Sequence, residues 1–175
     1  MSELRTNRII PRDGLPSGSA GGIIQVRQKV ITGTYSESVP PGNSGPYGNI
    51  VDSESITPTR ADSKIMLMAQ LSLSQENWVK RIHLLITGGN AATNYIGDDG
   101  TGVESALTIC TRVNDGYAQM PAYLNYLDSP STTSSVTYQV QWRVEANTGY
   151  LNRSHGGDSL SGLNASTITA MEVSG

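Results

Sequence analysis

A chain of 175 residues, 37% hydrophobic and only 15% charged, has the length for one domain with a proper core, but a thin core whose surface is solvated by hydroxyls and amides rather than ions. The formal net charge of −3, without any Lys/Arg cluster, argues against nucleic-acid binding through phosphate neutralisation. The single cysteine, Cys110, excludes an intrachain disulfide framework and a Cys-based zinc site, and no apolar run approaches the roughly 20 residues of a membrane helix. The 19 glycines, with many Ser, Thr and Asn, favour turns and short strands over helices. Disorder is the competing reading of such a composition. The apolar residues, however, gather into alternating runs that a disordered chain does not need.

Residues 1–22 hold Arg5, Arg8 and Arg12 around Ile9-Ile10-Pro11, followed by a Gly/Ser/Pro run to Gly22. With a breaker every few residues this stretch buries little apolar surface, so it reads as an extended docking arm, with a disordered tail as the alternative. Met1-Ser2-Glu3-Leu4-Arg5 lacks the apolar core of a signal peptide, as expected of a chain kept in a cytoplasm until it is assembled into something larger. Residues 23–175 form the expected domain.

Ile24, Val26 and Val30 share one parity against Gln25, Arg27 and Lys29, which predicts a half-buried first strand. A Pro/Gly-rich loop follows through residues 40–46, and residues 53–59 look like a short strand ended by proline. The clearest early strand carries Ile65, Leu67, Ala69, Leu71 and Leu73, with Met66, Met68, Gln70 and Ser72 on its other face. In residues 78–87, Ile82, Leu84 and Ile86 alternate with Arg81, His83 and Leu85. A helix over residues 64–87 would spread Leu and Met all round its cylinder, which is less economical than two paired strands. Gly88-Gly89-Asn90 and Gly97-Asp98-Asp99-Gly100 bracket an irregular loop, and strands follow at residues 106–113 and 122–127. The strongest pattern is Val136, Tyr138, Val140, Trp142 and Val144, β-branched or aromatic at strict period two. A turn at Asn147-Thr148-Gly149 leads to Tyr150-Leu151-Asn152, and residues 166–173 form a last strand. About eight short strands with turn signals between them indicate an all-β antiparallel sandwich, jelly-roll-like, behind a short N-terminal arm.

The signals for chemistry are weak. A Ser-His-Asp triad needs a base held against its nucleophile, but His83 falls on the polar face of a strand and His155 in a Gly-rich loop, and there is no Gly-x-Ser-x-Gly elbow. Both histidines read as surface residues. Glycoside hydrolysis would need two of the scattered Glu76, Glu104, Glu145 and Glu172 to face each other across a cleft that so small a sandwich scarcely offers. Asp98-Asp99 can bind a cation or simply form turns, and it lacks the ligand spacing of an EF-hand loop. No cofactor or resident metal is expected, and no catalytic residue is assigned. The sequons at Asn152 and Asn164 read as chance matches. Cys110 reads as a small apolar filler. Eight Tyr and two Trp without any Phe suit wet interfaces and carbohydrate contacts. Tyr138 and Trp142 read as core, whereas Tyr35, Tyr47 and Tyr95 fall in loops. Candidate loop contacts are Tyr47, Tyr95, Asp98, Asp99 and His155, and Met66 and Met68 are left over for a subunit interface.

Several segments share a pattern in order along the chain: residues 7–18 (NRIIPRDGLPSG) and 22–26 (GIIQV), 55–59 (SITPT) before Ser63-Lys64-Ile65, 126–130 (YLDSP) before residues 137–141 (TYQVQ), then 150–154 (YLNRS) and 166–173 (STITAMEV). In this succession the chain resembles virion structural proteins of tailed phages, chiefly tail-fibre-like proteins of phages infecting marine bacteria and cyanobacteria. The resemblance implies a β-sandwich head, commonly a homotrimer, docked to other virion proteins by an N-terminal segment in which Arg5, Arg8, Ile9, Ile10 and Arg12 would make the contacts. It implies a virion location after assembly in the host cytoplasm, and a host-surface glycan or protein as the adsorption partner. A capsid decoration or cement protein is the alternative, and a glycan depolymerase the less favoured one.

Overall fold

In this computed structural model the described residues are 22–40, 47–76, 81–89, 108–111, 119–145, 147–155 and 163–174. They form strands β1 (Ile23–Ile31), β2 (Tyr35–Val39), β3 (Gly48–Asp52), β4 (Lys64–Gln75), β5 (Arg81–Gly88), β6 (Thr108–Thr111), β7 (Met120–Asp128), β8 (Tyr138–Val144), β9 (Asn147–Leu151) and β10 (Ser166–Val173). The pairings nest. β1 pairs with β10, β2 with β9, β3 with β8, β4 with β7 and β5 with β6, always antiparallel. The chain is therefore one long hairpin, and it folds over when β10 also pairs with β4 and β8 with β5. Two sheets result: β1-β10-β4-β7, extended by β9 and β2 beyond β4, and β3-β8-β5-β6. That is the strand order of a jelly roll, and the expected antiparallel sandwich is what the sequence folds into.

β4 is central because its alternation suits it to be paired on both edges. Ile65, Leu67, Ala69, Leu71 and Leu73 are almost completely buried against Ile82, Leu84, Ile86, Tyr138, Val140 and Trp142 of the facing sheet's strands in one core cluster. Each fully buried aliphatic side chain contributes on the order of 1.5–3 kcal/mol. Small residues stand beside large ones across the strands: Ala170 beside Leu67, Ala69 between Ile168 and Leu124, and Ala122 beside Leu71. Complementary sizes of this kind fill a sandwich interior without voids.

One edge of β4 changes partner partway along, from β10 (up to Gln70) to β9 (from Leu73). Ser72 lies in the gap, where its backbone groups would be orphaned. Its N–H donates to Ser166 Oγ (3.0 Å), and its carbonyl accepts from the Asn152 N–H (2.8 Å). Asn152 is fully buried with φ 61°, a left-handed conformation that Asn tolerates better than most residues. Its side-chain Nδ2 donates to the carbonyls of Ile31 (2.8 Å) and Gly33 (2.9 Å), while its Oδ1 accepts from Ser166 Oγ (2.6 Å). One asparagine thus ties together the ends of β1, β9 and β10 at the switch point of β4.

The short β2–β9 pair closes the side of the sandwich beside Trp142. Trp142 Nε1 donates to Glu37 Oε2 (2.5 Å), and the Tyr35 ring lies 5.7 Å from the indole, centroid to centroid. Gly149 on β9 is the close-approach point. A Cβ there would fall 2.6 Å from Val144 Cγ2 and 3.1 Å from Trp142 Cη2.

Five expectations are corrected. In β1 the apolar parity points away from the sandwich: Val26 and Val30 are 51% and 55% exposed, because Gln25, Arg27 and Lys29 share the inward side of Glu172, Ala170 and Ile168. Residues 53–59 make only an isolated bridge, Ile56 to Val136, since the buried Ile56 is the one residue there paired into a sheet. Tyr35 lies on a strand rather than in a loop, and the supposed turn at residues 147–149 is strand β9, with the turn displaced to its left-handed first residue, Asn147 (φ 58°). His83 is not a surface histidine: it is fully buried. The arm, residues 1–22, lies outside the described residues except for Gly22, whose carbonyl accepts the Ser174 N–H (3.0 Å) and continues the β1–β10 ladder.

The Gly149 contact gives a direct test. Gly149→Ala is expected to destabilise the fold by about 1–3 kcal/mol in urea denaturation. Gly33→Ala, where a Cβ meets nothing within 4 Å, should change stability by less than about 0.5 kcal/mol.

Candidate functional site

Among the described residues, the buried ionisable side chains Glu172, Asp128 and His83 each hydrogen-bond a neighbouring side chain. Glu172 is fully buried on β10 and accepts from Gln25 Nε2 (2.6 Å), the Thr59 N–H (2.7 Å) and Thr59 Oγ1 (2.7 Å). Gln25 Nε2 also donates to the Thr57 carbonyl (2.7 Å), so the carboxylate straps residues 57–59 onto the β1–β10 pair. Burial pushes the Glu172 carboxyl up, but the donors from Gln25 and Thr59 outweigh it and hold the group below its ordinary value. Asp128, also buried, accepts the Tyr138 hydroxyl at 2.7 Å. Burial first, and then that bond and the carboxylate's charge, push the Tyr138 phenol well above its usual range. Gly89 (φ 56°) lies so close to Asp128 Oδ2 and the Tyr138 ring that no side chain fits there.

Glu172 and Asp128 are both cross-strand partners of Ile65, one on each side. A single row at one end of the sandwich therefore carries two buried carboxylates with a completely buried isoleucine between them. Glu172 holds residues 57–59 against this row, whereas Asp128 holds the Tyr138 hydroxyl of the facing sheet beside Gly89.

His83 Nε2 bonds Glu145 Oε1 at 2.9 Å, and the Arg143 guanidinium lies 5.3 Å from the centroid of the Tyr47 ring. Tyr47, expected to be a loop contact, is a half-buried residue just before β3. His155 is exposed and its Nδ1 bonds the Tyr150 hydroxyl at 3.2 Å, with the Arg153 guanidinium 4.5 Å from the centroid of that ring. Neither histidine bond involves a serine. Among the described residues, no group of three or more His, Cys, Asp or Glu side chains comes together as a metal site. The sequence-predicted contacts Tyr95, Asp98 and Asp99, and the docking residues Arg5, Arg8, Ile9, Ile10 and Arg12, lie outside the described residues.

Two surfaces remain. The first is a groove of about 290 Å³ on the outer side of β4, lined by Gln70, Ser72, Gln119, Pro121 and Asn164. Ser72 Oγ donates to Gln119 Oε1 (2.8 Å), and Asn164 Nδ2 reaches both Gln119 Oε1 (3.0 Å) and Ser72 Oγ (3.1 Å), so the amides and the hydroxyl are held in place. Tyr123, 58% exposed, stands opposite Gln70 at one end. Fixed amides beside an exposed ring suit a neutral, hydroxyl-rich ligand. The second surface is the outer face of β1-β10-β4-β7, where Val26, Met171, Met66 and Leu127 are register partners in one row across four strands.

The fold and these surfaces define an all-β sandwich of jelly-roll order. No family model and no curated protein matches the chain. Among solved structures it is similar to a chain described as the structure of infectious bursal disease virus Gx strain, at 13% identity and a TM-score of 0.36, over 98% of this chain and 42% of that one.

The Glu172 strap predicts an acid response. Because its folded-state pKa lies below the ordinary 4.5 of the unfolded chain, its contribution is complete above that pH and is lost as pH falls through the folded value. Glu172→Gln should therefore lower stability near neutral pH by about 1–3 kcal/mol and make the loss as pH falls below 4.5 shallower than in the wild type. Parallel denaturation curves across that range measure both effects.

Proposed function

We propose that the chain is a non-enzymatic structural subunit of a virus particle, tail-fibre-like in type, which docks through residues 1–22, self-associates as a homotrimer and serves host adsorption. The observation that carries the non-enzymatic part is the use made of the buried ionisable groups. Buried Glu172 holds residues 57–59, buried Asp128 holds the Tyr138 hydroxyl, and buried His83 bonds the part-exposed Glu145. A catalytic acid or base needs an approach for substrate, and Glu172 and Asp128 are enclosed by the groups they hold. Fold alone does not give function, and jelly rolls serve capsids and lectins alike. The ordered sequence resemblance is what turns a binding module into a virion subunit.

Adsorption belongs on this reading to the loops at residues 40–48, 88–102 and 155–163, together with the groove of Gln70, Gln119 and Asn164 beside Tyr123. Among the described residues the groove carries no charged lining side chain, so the ligand class it suits is a neutral host-surface glycan. The other virion proteins of the tail would receive the arm.

Antibody labelling of intact particles tests the assignment. Label on the tail is the expected result. Label over the head surface would replace it with capsid decoration or cementing, and no label on any particle would refute a virion role. Purified protein should leave host glycan uncleaved, whereas release of oligosaccharide would restore the depolymerase alternative.

A further inference from the structure

We propose that the groove on the outer side of β4 holds one neutral pyranose unit, packed on Tyr123 and Pro121 and hydrogen-bonded to the amides of Gln70 and Asn164. This deepens the adsorption reading and rests on it for the host-surface source of the sugar. The register builds two unlike walls. On β7, Pro121 and Tyr123 share the outward parity, and both are exposed. They stand directly opposite Ser72 and Gln70 of β4. One wall is therefore a proline beside an aromatic ring, and the other is hydroxyl and amide. A pyranose is two-sided in the same way, with C–H groups on one face and hydroxyls around its rim. Side chains directly opposite across two strands start about 4.5–5.5 Å apart, so a sugar resting on the Tyr123 ring brings rim hydroxyls within reach of Gln70.

The hydrogen bonds inside the groove define what its polar wall offers. Asn164 Nδ2 commits its two hydrogens to Gln119 Oε1 (3.0 Å) and Ser72 Oγ (3.1 Å). With the amide fixed in that way, Oδ1 is the group that Asn164 presents to a ligand, and it accepts without donating. Gln70, exposed on β4, carries both a donor and an acceptor. Two neighbouring hydroxyls match this pair, because each donates and accepts at once. Ser72 Oγ in turn donates to Gln119 Oε1 (2.8 Å), so Ser72 and Gln119 are positioning residues that hold Asn164 in place.

Size and charge narrow the ligand further. A volume of about 290 Å³ lies at the lower end of small-ligand sites, which suits one sugar unit rather than an oligosaccharide. An anionic sugar would bring its carboxylate to a lining that has no cationic side chain among the described residues. A purely apolar ligand would cover the amides and the hydroxyl without replacing their water. The groove also lies away from the arm. The Gly22 carbonyl accepts the Ser174 N–H at the Lys64 end of β4, where Ile23 pairs with Val173 and Val173 with Lys64. Ser72 lies about 26 Å further along that strand, at ~3.3 Å per residue. A subunit held at residue 22 thus carries the groove toward its other end.

Saturation-transfer and chemical-shift NMR titrations of the full chain with the methyl glycosides of glucose, galactose, mannose and N-acetylglucosamine test this. A ligand of about thirteen non-hydrogen atoms binds at ordinary efficiency with a dissociation constant on the order of 1 mM, and at least one of these sugars is expected to do so. Tyr123→Ala and Asn164→Ala should each raise that constant about fivefold or more with an unchanged far-UV spectrum. Tyr123→Phe, which keeps the ring, should change it less than about twofold. Leu127→Ala, 48% exposed on the same face of β7 but toward the arm, should leave it unchanged. If Asn164→Ala alters the spectrum, Gln70→Ala asks the same question at an exposed position. Absence of saturation transfer from all the neutral sugars at about 20 mM overturns the proposal, since that is far above the expected constant. Transfer only from methyl glucuronide or N-acetylneuraminic acid, added as charged probes, overturns it too. An affinity that Tyr123→Ala leaves unchanged places the sugar elsewhere and overturns it equally. None of these results touches the particle-labelling test, so the groove proposal and the virion reading fail separately.

Discussion

The structure depends on the register of β4. A slip of one residue would exchange Ile65, Leu67, Ala69, Leu71 and Leu73 for Met66, Met68, Gln70 and Ser72 in the core, and would misplace the small-beside-large pairs with β10 and β7 at the same time. Because β4 is paired on both edges, its register propagates to β10, β7 and β9, and through the core to the facing sheet. The cost of exchanging β10 for β9 along one edge is a stranded Ser72 backbone, and Asn152 and Ser166 meet it with fixed hydrogen bonds.

The same register writes the outer surface. Once the odd residues of β4 are inside, Met66 and Met68 must be outside, and the ladder aligns them with Val26, Met171, Val173 and Leu127. At one end of the interior two carboxylates are committed to fixed partners, Glu172 to residues 57–59 and Asp128 to the Tyr138 hydroxyl.

Strands whose alternation is clean were legible in the sequence: β4, β8 and β10 follow from parity alone, and Tyr138 and Trp142 are core as expected. Elements whose alternation is broken by a functional polar residue were not. β2 hides behind Glu37, which looks like a surface residue until the Trp142 indole bonds it. β9 begins Asn-Thr-Gly, a turn signal by composition, yet Gly149 is there because Trp142 and Val144 leave no room for a Cβ. His83 was misplaced because parity against Ile82 and Ile86 implies solvent, whereas all of residues 82–86 are buried.

The two buried carboxylates were missed although a signal existed. Glu172 continues the parity of Ile168 and Ala170, and Asp128 that of Leu124 and Tyr126, so both stand on the inward face by simple counting. Their partners, Thr59 and Tyr138, come from 113 and 10 residues away and no local pattern announces them. The arm residues and the Asp98-Asp99 loop fall outside the described residues.

Methionine oxidation read by mass spectrometry tests the register of β4 most directly: Met68, 42% exposed on its outer face, should oxidise faster than Met120, which packs against the core, and a Met120 that oxidises faster than Met68 would contradict the account.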